Sequence, residues 1–192
     1  SGCKKMKEYY KLEETCTCEI VISNNVTEIK LPIKKFDLEK EFLNGVSLYK
    51  NKKFEKSYKQ FEKLSDMGDS RSQYNLAIIF YKGQGVPQNF KTAYYWSMMA
   101  NLHGQKEGKK IVNRSLKKIS KTNKDEIDTE IKENLENSIN DGNIFAVVPL
   151  ARWYLTIPKK PDYNNSYLWL SVASALDIKN SDKARDSIFK NV

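Results

Sequence analysis

The chain has 192 residues, 40% of them apolar, and 33 Lys and Arg against 24 Asp and Glu, for a net charge of +9. That suits one core or a compact repeat array. Eight Gly and five Pro exclude a fibrous chain, and no apolar run approaches the ~18 residues of a membrane-crossing helix. The charge is uneven: residues 71–122 carry ten basic residues and one acidic, and residues 123–143 carry two basic and seven acidic. Lysine-rich solvated helix faces account for the basic stretch most simply. The sharper reading is a surface that steers an acidic protein partner. Nucleic acid is not expected, because no recognised motif accompanies the charge.

In chain order, Ser1-Gly2-Cys3 resembles the last three residues of a bacterial lipobox. That resemblance implies lipidation at Cys3, with Lys4, Lys5 and Lys7 in a tether over residues 1–17. It also implies a periplasmic protein held to the membrane only by acyl chains. Ser1-Gly2 is equally the scar of a removed tag. Cys16 and Cys18 sit too close in sequence to bridge each other without strain, and they lack partners for a zinc site. Residues 18–36 read as a β-hairpin: two β-rich runs flank Asn24-Asn25, and Asn tolerates tight turns.

From residue 37 to 192 the pattern is helical and repeats. Gly68, Gly104 and Gly142 recur at intervals of 36 and 38 residues, and Leu76-Ala77 and Leu150-Ala151 each follow a marker glycine by eight. Such a period signals stacked units, each too small to bury its own apolar face. Ile127, Ile131, Leu135 and Ile139 form one amphipathic stripe, and Phe54, Tyr58, Phe61 and Leu64 another. The spacing predicts four helix pairs, 37–50 with 54–67, 70–83 with 89–103, 105–120 with 124–141, and 144–156 with 163–176. A ninth helix near 181–190 caps the array. Each marker glycine is expected at positive φ where one helix gives way to the next.

Residues 72–104 resemble a Sel1-like repeat, a relative of the tetratricopeptide repeats, through Gly83-x-Gly85-Val86, Ala93, Trp96, Ala100 and Gly104. Residues 146–177 match more loosely, through Ala146, Leu150, Ala151, Tyr154, Trp169 and Ala173. Residues 41–68 are more like a tetratricopeptide unit, and 105–141 form a degenerate one. The resemblance implies an all-α fold, a right-handed solenoid of antiparallel helix pairs, with the short N-terminal hairpin in front of it. Gly83 and Gly85 then reverse the chain, Trp96 and Phe80 fill the space between units, and the alanines allow close helix approach.

Catalysis fails on inventory. The only histidine, His103, stands at a helix end, where a cation suits the dipole. Asp125, Glu126, Asp128, Glu130, Glu133 and Glu136 wrap one helix as a solvated face, and Asp125 with Asp128 lacks the further ligands of a cation site. Gly83-x-Gly85 lacks the lysine and the strand of a phosphate loop. No catalytic residue, metal or cofactor is expected. Binding remains. On the concave face, lined by the first helix of each pair, Ile78, Tyr81, Lys82, Arg152 and Leu155 depart from the repeat pattern. Trp153 beside Arg152 has the composition of an interface hot spot, and Tyr95 adds an aromatic on a second helix. Small bacterial Sel1-like lipoproteins resemble immunity proteins that neutralise type VI phospholipase effectors. The chain is therefore expected to bind and occlude a secreted lipase with an acidic surface. The alternatives are an envelope scaffold or signalling adaptor, and a host-directed secreted factor.

Overall fold

The computed structural model describes the backbone of residues 15–22 and 25–32, and residues 37–192 with their side chains. Cys3 lies outside the described residues, as does the expected tether up to residue 14. Two units are formed, residues 1–40 and residues 41–192. In the first, strands β1 (Thr15–Ile22) and β2 (Asn25–Pro32) pair antiparallel, with Ile22 opposite Asn25 and Thr15 opposite Pro32.

Nine helices follow among the described residues: α1 (Leu38–Lys50), α2 (Phe54–Asp66), α3 (Ser70–Lys82), α4 (Phe90–Leu102), α5 (Gly108–Leu116), α6 (Lys121–Asn140), α7 (Val147–Thr156), α8 (Tyr163–Ala175) and α9 (Ser181–Ile188). Helices α2 to α5 pack consecutively, as do α6 to α9, α1 packs on α2 through Phe42 and Val46 against Phe61, and α6 joins the array by lying on α4 and α7. The arrangement is consistent with the helical repeat the spacing predicts, except that α6 packs on α4 and α7 rather than chiefly on α5, its expected pair. The marker glycines adopt φ of +84° at Gly68, +103° at Gly104 and +89° at Gly142.

Local chemistry explains where the helix bounds differ from expectation. Helix α6 starts three residues early because Ser120 caps it, its hydroxyl accepting from the Asn123 N–H at 3.1 Å. Helix α5 is shorter than 105–120, bounded by turns at Gln105–Gly108 and Ser115–Lys118. Residues 144–146 form a 3-10 turn before α7, which accommodates Pro149 in its first turn, where the missing N–H costs nothing. Asn89 and Asp162 cap α4 and α8 with their side chains.

Among the described residues three apolar clusters form the interior, and Trp96 packs against all of them. The largest joins Tyr94, Met98, Met99 and Leu102 of α4 to Ile127, Ile131 and Leu135 of α6 and to Leu150 of α7. Gly85 ties the loop after α3 to the start of α2. At φ +81° its missing Cβ would stand 2.7 Å from the backbone of Phe54 and Glu55, so only glycine fits there.

Candidate protein-binding site

The expected contact residues fall into two groups with different fates. Ile78, Tyr81 and Lys82 come together. With Tyr74 on the same helix, and Ile111 and Arg114 from α5, they line a notch of about 260 Å3. Tyr74, Ile78 and Lys82 are spaced by four along α3, which puts them in one row. Tyr81 is fixed by an edge-on contact with Phe90, ring centres 5.3 Å apart, and its carbonyl accepts from the Gln88 side-chain amide at 2.9 Å. The floor is aromatic and aliphatic, because Tyr74, Ile78 and Tyr81 lean on the buried Ala77, Ala93 and Ile111. Lys82 and Arg114 are exposed at its rim, near the exposed Lys109 and Lys110 of α5. An apolar floor edged by cations suits a protein surface presenting an apolar side chain beside a carboxylate.

Arg152 and Trp153 both make contacts within the fold, Arg152 while remaining exposed. The Arg152 guanidinium donates from Nη1 to the Leu102 carbonyl at 2.7 Å, closing the C-terminal end of α4, and burial lowers its pKa. Trp153 donates its indole N–H to the Asp128 carbonyl at 2.9 Å and packs against the largest cluster. Lys132 of α6 lies 5.9 Å from its ring centre. The pair joins units together. Leu155 is half-buried and lines neither the notch nor the cleft described next.

Tyr95 lies elsewhere, in a cleft of about 220 Å3 between the end of α2, α4 and α6, with Ser65, Gln73, His103 and Asn134 among its walls. Its hydroxyl accepts from Asn134 Nδ2 at 2.9 Å, and burial raises its pKa.

Two sequence readings are corrected here. His103 is not a cation at a helix end. Its Nδ1 stands 2.9 Å from the Met99 carbonyl, and burial, with Arg152 nearby, pushes its pKa down to about 4, so it is neutral near pH 7. Asp128 is not part of a solvated acidic face. It is buried, accepts the Tyr94 hydroxyl at 2.7 Å, and pairs with Lys124 one turn back. Burial and that hydrogen bond hold the Tyr94 phenol protonated well above the usual tyrosine range. The signal was available in part, since Asp128 adjoins Ile127 on the stripe that faces the core.

The geometry is that of a helical-repeat protein with an open, basic and aromatic notch. No family model matches the chain. A 47-residue stretch is 37% identical to a protein of Helicobacter pylori (strain J99) named "Putative beta-lactamase HcpC", covering 24% of this chain and 16% of that relative. The match therefore spans about a sixth of the relative's length. Together with the stacked helix pairs it is consistent with Sel1-like repeats and with a role in binding proteins.

The relative's name directs attention to serine chemistry. Three Ser-x-x-Lys spacings occur among the described residues, at Ser47–Lys50, Ser115–Lys118 and Ser187–Lys190. Neither Ser-Asp-Asn nor Lys-Thr-Gly, the other two elements of that chemistry, is present in the sequence. Ser115 is fully buried and its hydroxyl touches no partner, Ser47 accepts from Asn51, and Ser187 donates to the Ala184 carbonyl. No group of three or more His, Cys, Asp or Glu suited to a metal occurs among the described residues.

Proposed function

We propose that this chain is a non-catalytic adaptor that docks one acidic protein surface on the notch between α3 and α5. On the Sel1-like lipoprotein resemblance, that partner is a secreted phospholipase effector, and binding occludes the mouth of its active site. The protein then acts in the bacterial periplasm, anchored through Cys3. The observation that carries the docking reading is the notch itself: Tyr74, Ile78 and Tyr81 form an apolar floor, and Lys82 and Arg114 sit at its edge. Surface cations at such an edge accelerate encounter with an acidic partner and set its register.

The test is inhibition. Purified protein added to the secreted lipase of the same cell is expected to abolish lipid hydrolysis at near-equal stoichiometry, and Lys82→Glu with Arg114→Glu is expected to restore hydrolysis. If envelope assembly components copurify instead and no lipase is inhibited, the protein is a scaffold.

A further inference from the structure

The cleft between the end of α2, α4 and α6 shares no residue with the notch, and its charge has the opposite sign. No Lys or Arg lines it, although the chain carries 33. Besides the neutral His103, its one acidic or basic side chain is Asp66, exposed at the mouth. Burial and the charge of Glu62 raise the Asp66 pKa, so a cation seated beside this carboxylate would relieve it. The charges of Glu130 and Asp66 also act on the Tyr95 hydroxyl.

The buried polar atoms that the fold leaves over in this cleft are acceptors or can accept. Gln73 is 1% exposed. Its Nε2 donates to the Ser65 carbonyl at 3.2 Å, and its Oε1 has no hydrogen-bond partner among the described residues. The Ser65 hydroxyl, also buried, has none either. His103 adds a third acceptor. Its Nδ1 faces the Met99 carbonyl, which can only accept, so in the neutral imidazole that nitrogen carries the proton. Nε2 is left as an acceptor beside Gly68, where an added Cβ would stand 3.8 Å from it. Native folds leave few buried acceptors without a donor. Tyr95 and Trp96 stand edge to face, ring centres 5.1 Å apart, and supply an aromatic wall.

We propose that this cleft binds a guanidinium group, with Asp66 facing the charge and Gln73 and His103 taking its N–H groups against the Tyr95–Trp96 wall. A guanidinium has five N–H donors in one plane and no acceptor, and it rests on aromatic rings more readily than a strongly hydrated ammonium does. It therefore matches a lining of acceptors, aromatic rings and one carboxylate. An anion would meet no cation in that lining, since Arg152, whose charge reaches His103, is not part of it. At about 220 Å3 the cleft is smaller than the roughly 300–1,000 Å3 of sites for drug-sized ligands, so it suits a group the size of one side chain. The guanidinium belongs to an arginine of a protein or to a small free guanidine. Either way the site is separate from the notch and does not depend on the lipase reading.

The probes are N-acetyl-arginine amide, the matching lysine and citrulline derivatives, and free agmatine. Each is titrated into the isotope-labelled full chain and followed by NMR. Citrulline keeps the shape of arginine but lacks its charge and two of its N–H groups. Saturable shifts are expected at the Gln73 side-chain amide and the His103 ring, with the arginine derivative bound several-fold tighter than those of lysine or citrulline. Asp66→Asn, at an exposed position, is expected to weaken arginine binding about tenfold, and Gln73→Leu to weaken it as well where that variant folds. Tighter binding of the arginine derivative than of agmatine would assign the group to a protein's arginine, and the reverse to a small molecule. No saturable shift, equal binding of the citrulline derivative, or arginine binding that ignores Asp66→Asn would overturn the proposal.

Discussion

The notch between α3 and α5 and the Arg152–Trp153 pair on α7 have almost the same composition: aromatic rings beside a guanidinium. Their surroundings separate them. In the notch, the tyrosine and isoleucine side chains lean on the core from one side, and Lys82 and Arg114 are exposed, with no side-chain hydrogen bond or ion pair to either among the described residues. On α7, Trp153 gives its one polar donor to the Asp128 carbonyl, and Arg152, exposed at the surface, gives one of its five N–H donors to the Leu102 carbonyl. A hydrogen bond made inside the fold is a donor no longer offered to a partner. Composition alone marks both regions as hot spots, and the hydrogen-bond partners show that one is a surface and the other a strut.

Substitutions sharpen the contrast. The largest effect is expected from Trp153→Ala, which removes a ring from the principal cluster and the indole hydrogen bond to the Asp128 carbonyl of α6. Denaturant unfolding should show a loss of about 3 kcal/mol, with partner affinity unchanged for the molecules that remain folded. Arg152→Ala should cost about 1–2 kcal/mol by the same measurement, since the Leu102 carbonyl loses a charged donor. Lys82→Glu with Arg114→Glu should do the reverse. Both residues are exposed, so stability should stay within about 0.5 kcal/mol while titration calorimetry shows partner affinity falling about tenfold or more. A large stability loss in this last variant, or weakened binding in Arg152→Ala, would break the distinction.

A further effect concerns pH. His103 has a folded pKa near 4, below its unfolded value of about 6.5. The unfolded chain therefore binds a proton between those values that the folded chain does not, and stability falls as pH drops through that window. The slope contributed by one such group is at most about 1.4 kcal/mol per pH unit. Urea unfolding at pH 7, 6 and 5 should show the decline, and His103→Gln should flatten it. An identical slope in that variant would assign the decline to carboxylates.

The repeat was legible in the sequence because glycine at positive φ and the helical apolar stripes are local signals. Gly68, Gly104 and Gly142 mark the turns, and Ile127, Ile131 and Leu135 face inward as their period requires. Helix bounds moved by a few residues where a side chain decides them, as Ser120 does at α6. The notch was half legible. Ile78, Tyr81 and Lys82 stand out from the repeat, but Tyr74 was not singled out, and Ile111 and Arg114 come from a helix about thirty residues on, brought there by packing. The roles of Asp128, His103 and Arg152 were illegible for the same reason. Each is set by a partner 4 to 50 residues away in the chain, and neither charge nor helix periodicity reports which carbonyl or hydroxyl lies opposite.

The most direct test of the central claim, that the notch is the partner-binding surface, is quantitative affinity capture from the native cell envelope. Three baits are compared: the unaltered chain, Lys82→Glu with Arg114→Glu, and Arg152→Ala. The expected result is a protein with an acidic surface, bound at near-equal stoichiometry to the unaltered chain and to Arg152→Ala and lost from the charge-reversed bait. The same proteins on all three baits at equal yield, or loss from Arg152→Ala alone, would contradict it.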